Sequence, residues 1–346
     1  MSGTSLDGLD LAYAEFVKQR GEWSFELKHF TTLRYSDKWF TDLRNAQSLP
    51  KSELQKLHVD YGAYLGRACA KFIEQYDISP DLIASHGHTV FHQPEQRYTC
   101  QLGDGKALAN ACGIQTVNDF RTLDVSLGGQ GAPLVPIGDR FLFAQYDVCL
   151  NLGGFANVSF EADGSRIAFD VAPVNIALNV MANAMGKEYD DNGNIAATGN
   201  IDTNLQEALS ALPYYFEPAP KSLSREWLDE QFMPIIQQSS ASNEDKLCTV
   251  CKHIAIQVRR STLEQGISAG AHMLVSGGGT LNGFLVDCIR QETELEITVP
   301  DKPIIEYKEA LIFAFLGVLR IRGDINCLSS VTGAKRDSSC GVIVRP

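Results

Sequence analysis

Between residues 23 and 30 apolar and polar positions alternate (Trp23, Ser24, Phe25, Glu26, Leu27, Lys28), the period of a half-buried strand. The apolar run 11–17 precedes it, and with Gly21 in the turn the two predict a β-hairpin. The period then changes. Leu54, Leu57, Tyr61, Leu65, Cys69 and Phe72 recur at helical spacing and predict one amphipathic helix over 52–76. A short strand at 81–85, a strand at 98–102, a helix at 104–112 and a strand at 114–120 follow.

Near residue 147 the pattern restarts. Segments 147–152, 155–160 and 167–169 read as strands joined by turns at Gly153-Gly154 and 161–165, ahead of a helix over 176–185. Helices follow at 205–212, 224–238 and 244–265, then a strand at 272–276, a helix at 282–291 and a last long helix opening at Lys308. Each half opens with strands bent around a glycine-containing loop, which suggests a duplicated domain. A chain of 346 residues exceeds what one core serves, so two domains are expected, 1–136 and 137–346, the last helix packing back on the first.

Composition narrows the classes. Hydrophobic content of 44% with 21% charged residues is that of a globular protein. A net charge of −12 argues against nucleic-acid or anionic-membrane partners. No apolar run approaches the ~20 residues of a membrane helix, and no signal peptide is apparent. Nine scattered cysteines fit a reducing cytoplasm, and Cys248 with Cys251 reads as half-buried packing, not a metal or redox pair.

Candidate chemistry gathers at the turns. Gly3, Thr4, Ser5, Asp7 and Gly8 place glycines, hydroxyls and a carboxylate in one loop, suited to phosphate, to Mg²⁺ through water or to a sugar hydroxyl. A plain N-terminal turn is the competing reading. His86 and His88, spaced to share one strand face, and His92 read as a polar cleft lining. Asp119 and Arg121 stand at a strand's C-terminal end, where open α/β sheets bind ligands; an ion pair beside a flexible linker is the alternative. Asp170 precedes a helix start whose free N–H groups suit an anion and favour an ionised base, or else it caps that helix. Gly277, Gly278 and Gly279 join a strand to a helix, a nucleotide-shaped but weak signal. Glu309 is a carboxylate beside an apolar stripe, capping its helix or facing a cleft.

Segments 1–10, 117–136, 151–159, 221–226, 276–282, 308–316 and 330–334 resemble the anhydro-N-acetylmuramic acid kinase family, in the same order and along the whole chain. The most specific is Asp119, Phe120 and Arg121 followed by Gly128, Gly129, Gln130, Gly131, Ala132, Pro133, Leu134, Val135 and Pro136. The resemblance implies an α/β fold of two ribonuclease H-like domains, the actin-like ATPase fold, around a nucleotide cleft. It implies hydrolytic opening of a 1,6-anhydro sugar and ATP-dependent phosphorylation of the released 6-oxygen, in peptidoglycan recycling. Gly3, Thr4, Ser5 and Gly8 would form one phosphate loop, and Gly153, Gly154 and Asn157 the second. Asp170 would be the general base, Asp7 would hold the metal or sugar, Asp119, Arg121 and Glu309 would line the sugar site, and Gly277–Gly279 the adenosine end. Partners implied are the sugar and ATP with Mg²⁺, and a homodimer.

Two departures stand out. Where the family reads Asp-Thr-Gly-Pro-Gly-Asn, this chain has Asp170, Val171, Ala172, Pro173, Val174 and Asn175, so altered phosphate contacts with retained chemistry are expected. Family members also carry a strand ahead of the segment at Met1, and a sheet without it would expose an unpaired edge. Alternatives are a non-catalytic or chaperone-like nucleotide-binding protein and a kinase of another amino sugar; a retained Asp170 argues for catalysis.

Overall fold

The computed structural model describes residues 1–3 and 6–346; Thr4 and Ser5, both assigned to the first phosphate loop, lie outside the described residues. Two compact units divide the chain, Met1–Leu142 with Tyr307–Pro346, and Phe143–Glu306. The division falls at 142/143 instead of 136/137, and residues 307–346 belong to the first unit. The helix Lys302–Arg322 explains this: its Phe315 packs edge-on to Trp23, ring centroids 5.0 Å apart, and against Phe16 at 5.4 Å, burying aromatic surface in the first unit.

In the first unit, β1 (Leu9–Gln19) and β2 (Glu22–Leu33) form the expected antiparallel hairpin. The helix Lys51–Tyr76 buries Leu57, Tyr61, Leu65 and Phe72 on one face, as its period dictates. Gly62 on that face admits the neighbouring backbone, since a Cβ there would stand 2.3 Å from the Asp104 carbonyl oxygen. β3 (Ile83–Ser85) runs into β4 (His88–Gln93), which pairs with β5 (Tyr98–Leu102); β6 (Thr116–Asn118) lies parallel to β3. Gly87, at φ +73°, turns the chain between β3 and β4, so His86 and His88 do not share a strand face.

β1 and β3 do not pair with each other. Ser2 makes a bridge antiparallel to Leu9 and another parallel to His88. Beyond it lies a cavity of about 540 Å³, lined by Leu11, Tyr13, Phe72, Leu82, Ile83 and Phe313 among others.

The second unit holds a five-stranded sheet. β7 (Val148–Leu152), β8 (Phe155–Ala162) and β9 (Ser165–Pro173) form an antiparallel meander; β10 (His272–Ser276) is parallel to β7, and β11 (Glu296–Thr298) parallel to β10. The order β11-β10-β7-β8-β9, with only the second strand of the five reversed, is the ribonuclease H-like arrangement. Its core includes Leu150, Phe160, Leu247, Cys251 and Ile254, the last three from the helix Asn243–Thr262. Cys248 and Cys251 are buried there, more deeply than expected. The predicted helix 224–238 is interrupted by a π turn at Leu228–Phe232, before Pro234. Among the described residues no helix is long and apolar enough to cross a membrane.

Candidate active site

The first loop is fastened at both ends. The Met1 ammonium donates to the Asp10 carbonyl at 2.7 Å, and Asp10 accepts from Thr32 Oγ1 at 2.6 Å. Tyr61 OH, Tyr35 OH and Ser2 Oγ form a chain of 2.8 and 2.7 Å bonds, which ends with a 3.0 Å bond between Ser2 Oγ and His88 Nδ1. Sequence reading missed this chain, because Tyr61 and Leu57 look alike as members of a helical stripe. A Cβ at Gly8 would lie 2.8 Å from the Leu33 carbonyl oxygen, so Gly8 serves packing against β2. The Gly3 carbonyl accepts from Leu6 N at 3.3 Å. Asp7 is exposed and makes no hydrogen bond or ion pair with another described residue.

Asp119 and Arg121 are brought near one another without pairing. Asp119 takes a left-handed backbone, φ +56°, and its Oδ1 accepts from Thr122 N at 3.2 Å, starting the helix Thr122–Ser126. Arg121 instead bonds His86 Nε2 through Nε at 2.9 Å and the Gly131 carbonyl through Nη1 at 2.5 Å. The glycine segment 128–131 is no free linker. Asp124, wholly buried, accepts from Gly131 N at 2.7 Å, Thr332 Oγ1 at 2.8 Å and Cys327 Sγ at 3.1 Å. Gln130 N bonds the Thr332 carbonyl at 2.8 Å, so segment 330–334 is the dock for this loop.

Glu309 does not cap a helix. The last helix opens at Lys302, with Pro303 as the overlooked start signal, and Glu309 sits in its third turn. Glu309 is exposed, yet the protein around its carboxyl pushes the pKa upward, while Arg121 and the Met1 ammonium pull it down. Beside it, Lys308 makes a buried 2.8 Å ion pair with Asp139.

In the second unit a polar row crosses the sheet. Ser276, Asn151, Asn157 and Asp170 are successive cross-strand partners on β10, β7, β8 and β9. A bulge at Ala156/Asn157 sets the register that puts Asn157 opposite Asp170. The segment around 221–223 cradles Asp170: Leu223 N donates to Oδ2 at 2.9 Å and Asp170 N to the Lys221 carbonyl at 3.2 Å. Tyr214 OH donates to the Asp170 carbonyl at 2.6 Å.

Two expectations about this region are corrected. Asp170 lies on β9, five residues before the helix Asn175–Asn183, and burial raises its pKa from 3.8 to about 6 where a helix end would have lowered it. Nor are the N–H groups at that helix start free. The Gly154 carbonyl accepts from Val174 N at 2.8 Å and Ile176 N at 3.3 Å, and the Gly153 carbonyl from Asn175 N at 3.3 Å. Val171, Ala172 and Val174 are buried in the unit's core.

The glycines separate by need. Gly277 has φ +87° and a Cβ there would meet Asn151 Oδ1 at 2.6 Å; at Gly279 it would meet Leu152 Cβ at 2.7 Å. Packing requires both. At Gly154 and Gly278 a Cβ would find its nearest neighbour 3.8 Å away, so this unit's own packing does not demand glycine there. Among the described residues no group of three metal-ligating side chains forms a cage. The exposed Asp7 carboxylate suits Mg²⁺ held largely by water and phosphate oxygens.

The sheet order of the second unit, crossed by a polar row that ends on Asp170, defines a ribonuclease H-like α/β protein. The family described as AnmK, Anhydro-N-acetylmuramic acid kinase, matches residues 1–346. The chain is 34% identical over 359 residues to the anhydro-N-acetylmuramic acid kinase of Gloeobacter violaceus, covering 97% of this chain and 95% of the relative. The enzymes of that name from Vibrio vulnificus and Rhodospirillum rubrum are 31% and 33% identical, each over 99% of this chain and 96% and 92% of their own lengths. A solved activator of 2-hydroxyisocaproyl-CoA dehydratase from Clostridium difficile aligns over 90% of this chain and 89% of its own, at 14% identity and a TM-score of 0.40, too loose a likeness to argue from. The chain belongs to the anhydro-N-acetylmuramic acid kinase family.

Proposed function

We propose that the protein opens the 1,6-anhydro ring of 1,6-anhydro-N-acetylmuramic acid and phosphorylates O6 with ATP, giving N-acetylmuramic acid 6-phosphate for peptidoglycan recycling. The observation that carries this reading is Asp170, a half-buried carboxylate whose pKa is raised to about 6 by desolvation and whose Oδ2 is held in place by the Leu223 N–H. Such a group is ionised at neutral pH and basic enough to take a proton from water. Water attacks C1 and passes its proton to Asp170, the C1–O6 bond breaks, and O6 takes the γ-phosphoryl group, leaving ADP. Gly3, Thr4, Ser5 and Gly8, with Gly153, Gly154 and Asn157, are assigned to phosphate binding; Asp119, Arg121 and Glu309 to the sugar; and Gly277–Gly279 to the nucleotide. Gly278 has the strongest support among these three, because nothing in its own unit forbids a side chain. Mg²⁺ supplies neutralisation of phosphoryl charge, and Asp7 would hold it through water. A cytoplasmic homodimer that binds no nucleic acid completes the proposal, the acidic charge of −12 supporting the last point.

The test is coupled ADP release with the anhydro sugar, wild type against Asp170→Asn. Turnover that falls by about 10²–10⁴ in the variant supports the assignment. Equal turnover in both removes Asp170 from the reaction.

A further inference from the structure

His86 was singled out by the sequence and is not used by the reaction above. It follows β3, and its ring lies against Phe313, with centroids 4.6 Å apart. The backbone beside it packs closely, since a side chain at Gly87 would meet the Leu102 carbonyl oxygen at 2.2 Å.

The hydrogen bonds fix its tautomer. Arg121 Nε always carries a proton, so at 2.9 Å it requires a lone pair on His86 Nε2. The ring proton is then on Nδ1, which stands 3.0 Å from the Gly87 carbonyl oxygen and donates to it. Burial and the cations nearby (Arg121 and the Met1 ammonium) keep the ring neutral, well below the ordinary histidine pKa.

Both groups that hold Arg121 are therefore uncharged, an imidazole and the Gly131 carbonyl. Among the described residues no carboxylate stands within ion-pair distance of this guanidinium; Glu309 and Asp124 attract it only from farther away. A carboxylate in the place of His86 would neutralise the cation it oriented. A neutral imidazole orients it and leaves its hydrogen-bonding charge for a ligand, and a half-buried cation with no carboxylate in ion-pair contact among the described residues favours an anionic group.

We propose that His86 is a positioning residue, whose Nε2 fixes the Arg121 guanidinium so that its uncompensated charge receives the carboxylate of the sugar acid. This rests on the sugar reading above and deepens it: the site selects an acidic sugar over its neutral counterpart.

The test compares 1,6-anhydro-N-acetylmuramic acid with its carboxamide in the wild type, His86→Leu and His86→Gln. Leucine removes the acceptor, whereas glutamine returns an oxygen to its place. The expected result is KM for the acid raised about tenfold or more in His86→Leu, with kcat and the carboxamide KM changed by less than about threefold, and near-complete rescue in His86→Gln. Equal losses for both sugars, or a glutamine variant as impaired as the leucine one, would overturn it. Nitrogen-15 NMR of the wild type reads the same link without turnover. A His86 proton on Nδ1 at pH 7, with an Nε2 signal that moves in Arg121→Lys, supports the proposal; a proton on Nε2 overturns it. A wild type that turns over neither sugar would remove the reaction reading, and the NMR result would still decide the His86–Arg121 link.

Discussion

Replacing Asp170 by asparagine should lower turnover by about 10²–10⁴ and at the same time stabilise the fold. Asparagine keeps an oxygen for the Leu223 N–H and removes the charge that burial opposes. A rise from 3.8 to about 6 is a little over two units, which at 1.36 kcal/mol per unit costs the ionised form about 3 kcal/mol. The sign follows from linkage. The folded pKa exceeds the unfolded one, so the unfolded chain binds fewer protons between pH 3.8 and about 6, and wild-type stability falls as pH rises through that window. The variant's advantage is therefore full above about pH 7, near half at pH 5 and absent below about pH 3.8. Thermal melts should show Asp170→Asn higher by on the order of 6–10 °C at pH 7.5, with a smaller gap at pH 5. A variant no more stable than the wild type, or a gain independent of pH, would refute the reasoning.

Further outcomes follow from the packing. Gly277→Ala should destabilise by about 2 kcal/mol or more, because strain at φ +87° adds to contacts with Asn151 and Leu152. Gly278→Ala should leave Tm nearly unchanged and raise the KM for ATP, which steady-state kinetics would show. Lys308→Met should destabilise the fold in urea unfolding, since it removes one partner of a buried ion pair with Asp139. A six-residue strand-forming extension ahead of Met1, running on from the bridges of Ser2 to β1 and β4, should raise Tm by about 4 °C or more. It would fill apolar space and remove an ammonium that burial already disfavours.

The sequence was legible where one element carried its own pattern. The helix Lys51–Tyr76 shows its buried face as a continuous stripe, and the meander β7–β9 shows two turn signals between apolar runs. Legibility failed where partners are distant in sequence. β3 and β6 fall within the strands expected at 81–85 and 114–120, but their pairing with one another, across more than thirty positions, leaves no local mark. His86 meets Arg121 across 35 positions, and Asp124 meets Thr332 across 208. The pKa of Asp170 was misjudged because the helix ahead of it is visible in sequence, whereas the cover formed by Tyr214 and segment 221–223 is a tertiary fact. The glycine triplet at 277–279 read as one motif, but only its middle residue is spared by packing.

The central claim is that one turnover couples ring opening to transfer of a phosphoryl group onto O6. Phosphorus NMR of the mixture of protein, ATP, Mg²⁺ and 1,6-anhydro-N-acetylmuramic acid reads it most directly. One 6-phosphosugar signal should grow for each ADP formed, with no matching inorganic phosphate. ADP accompanied by inorganic phosphate instead, or no ADP above the sugar-free control, would contradict it.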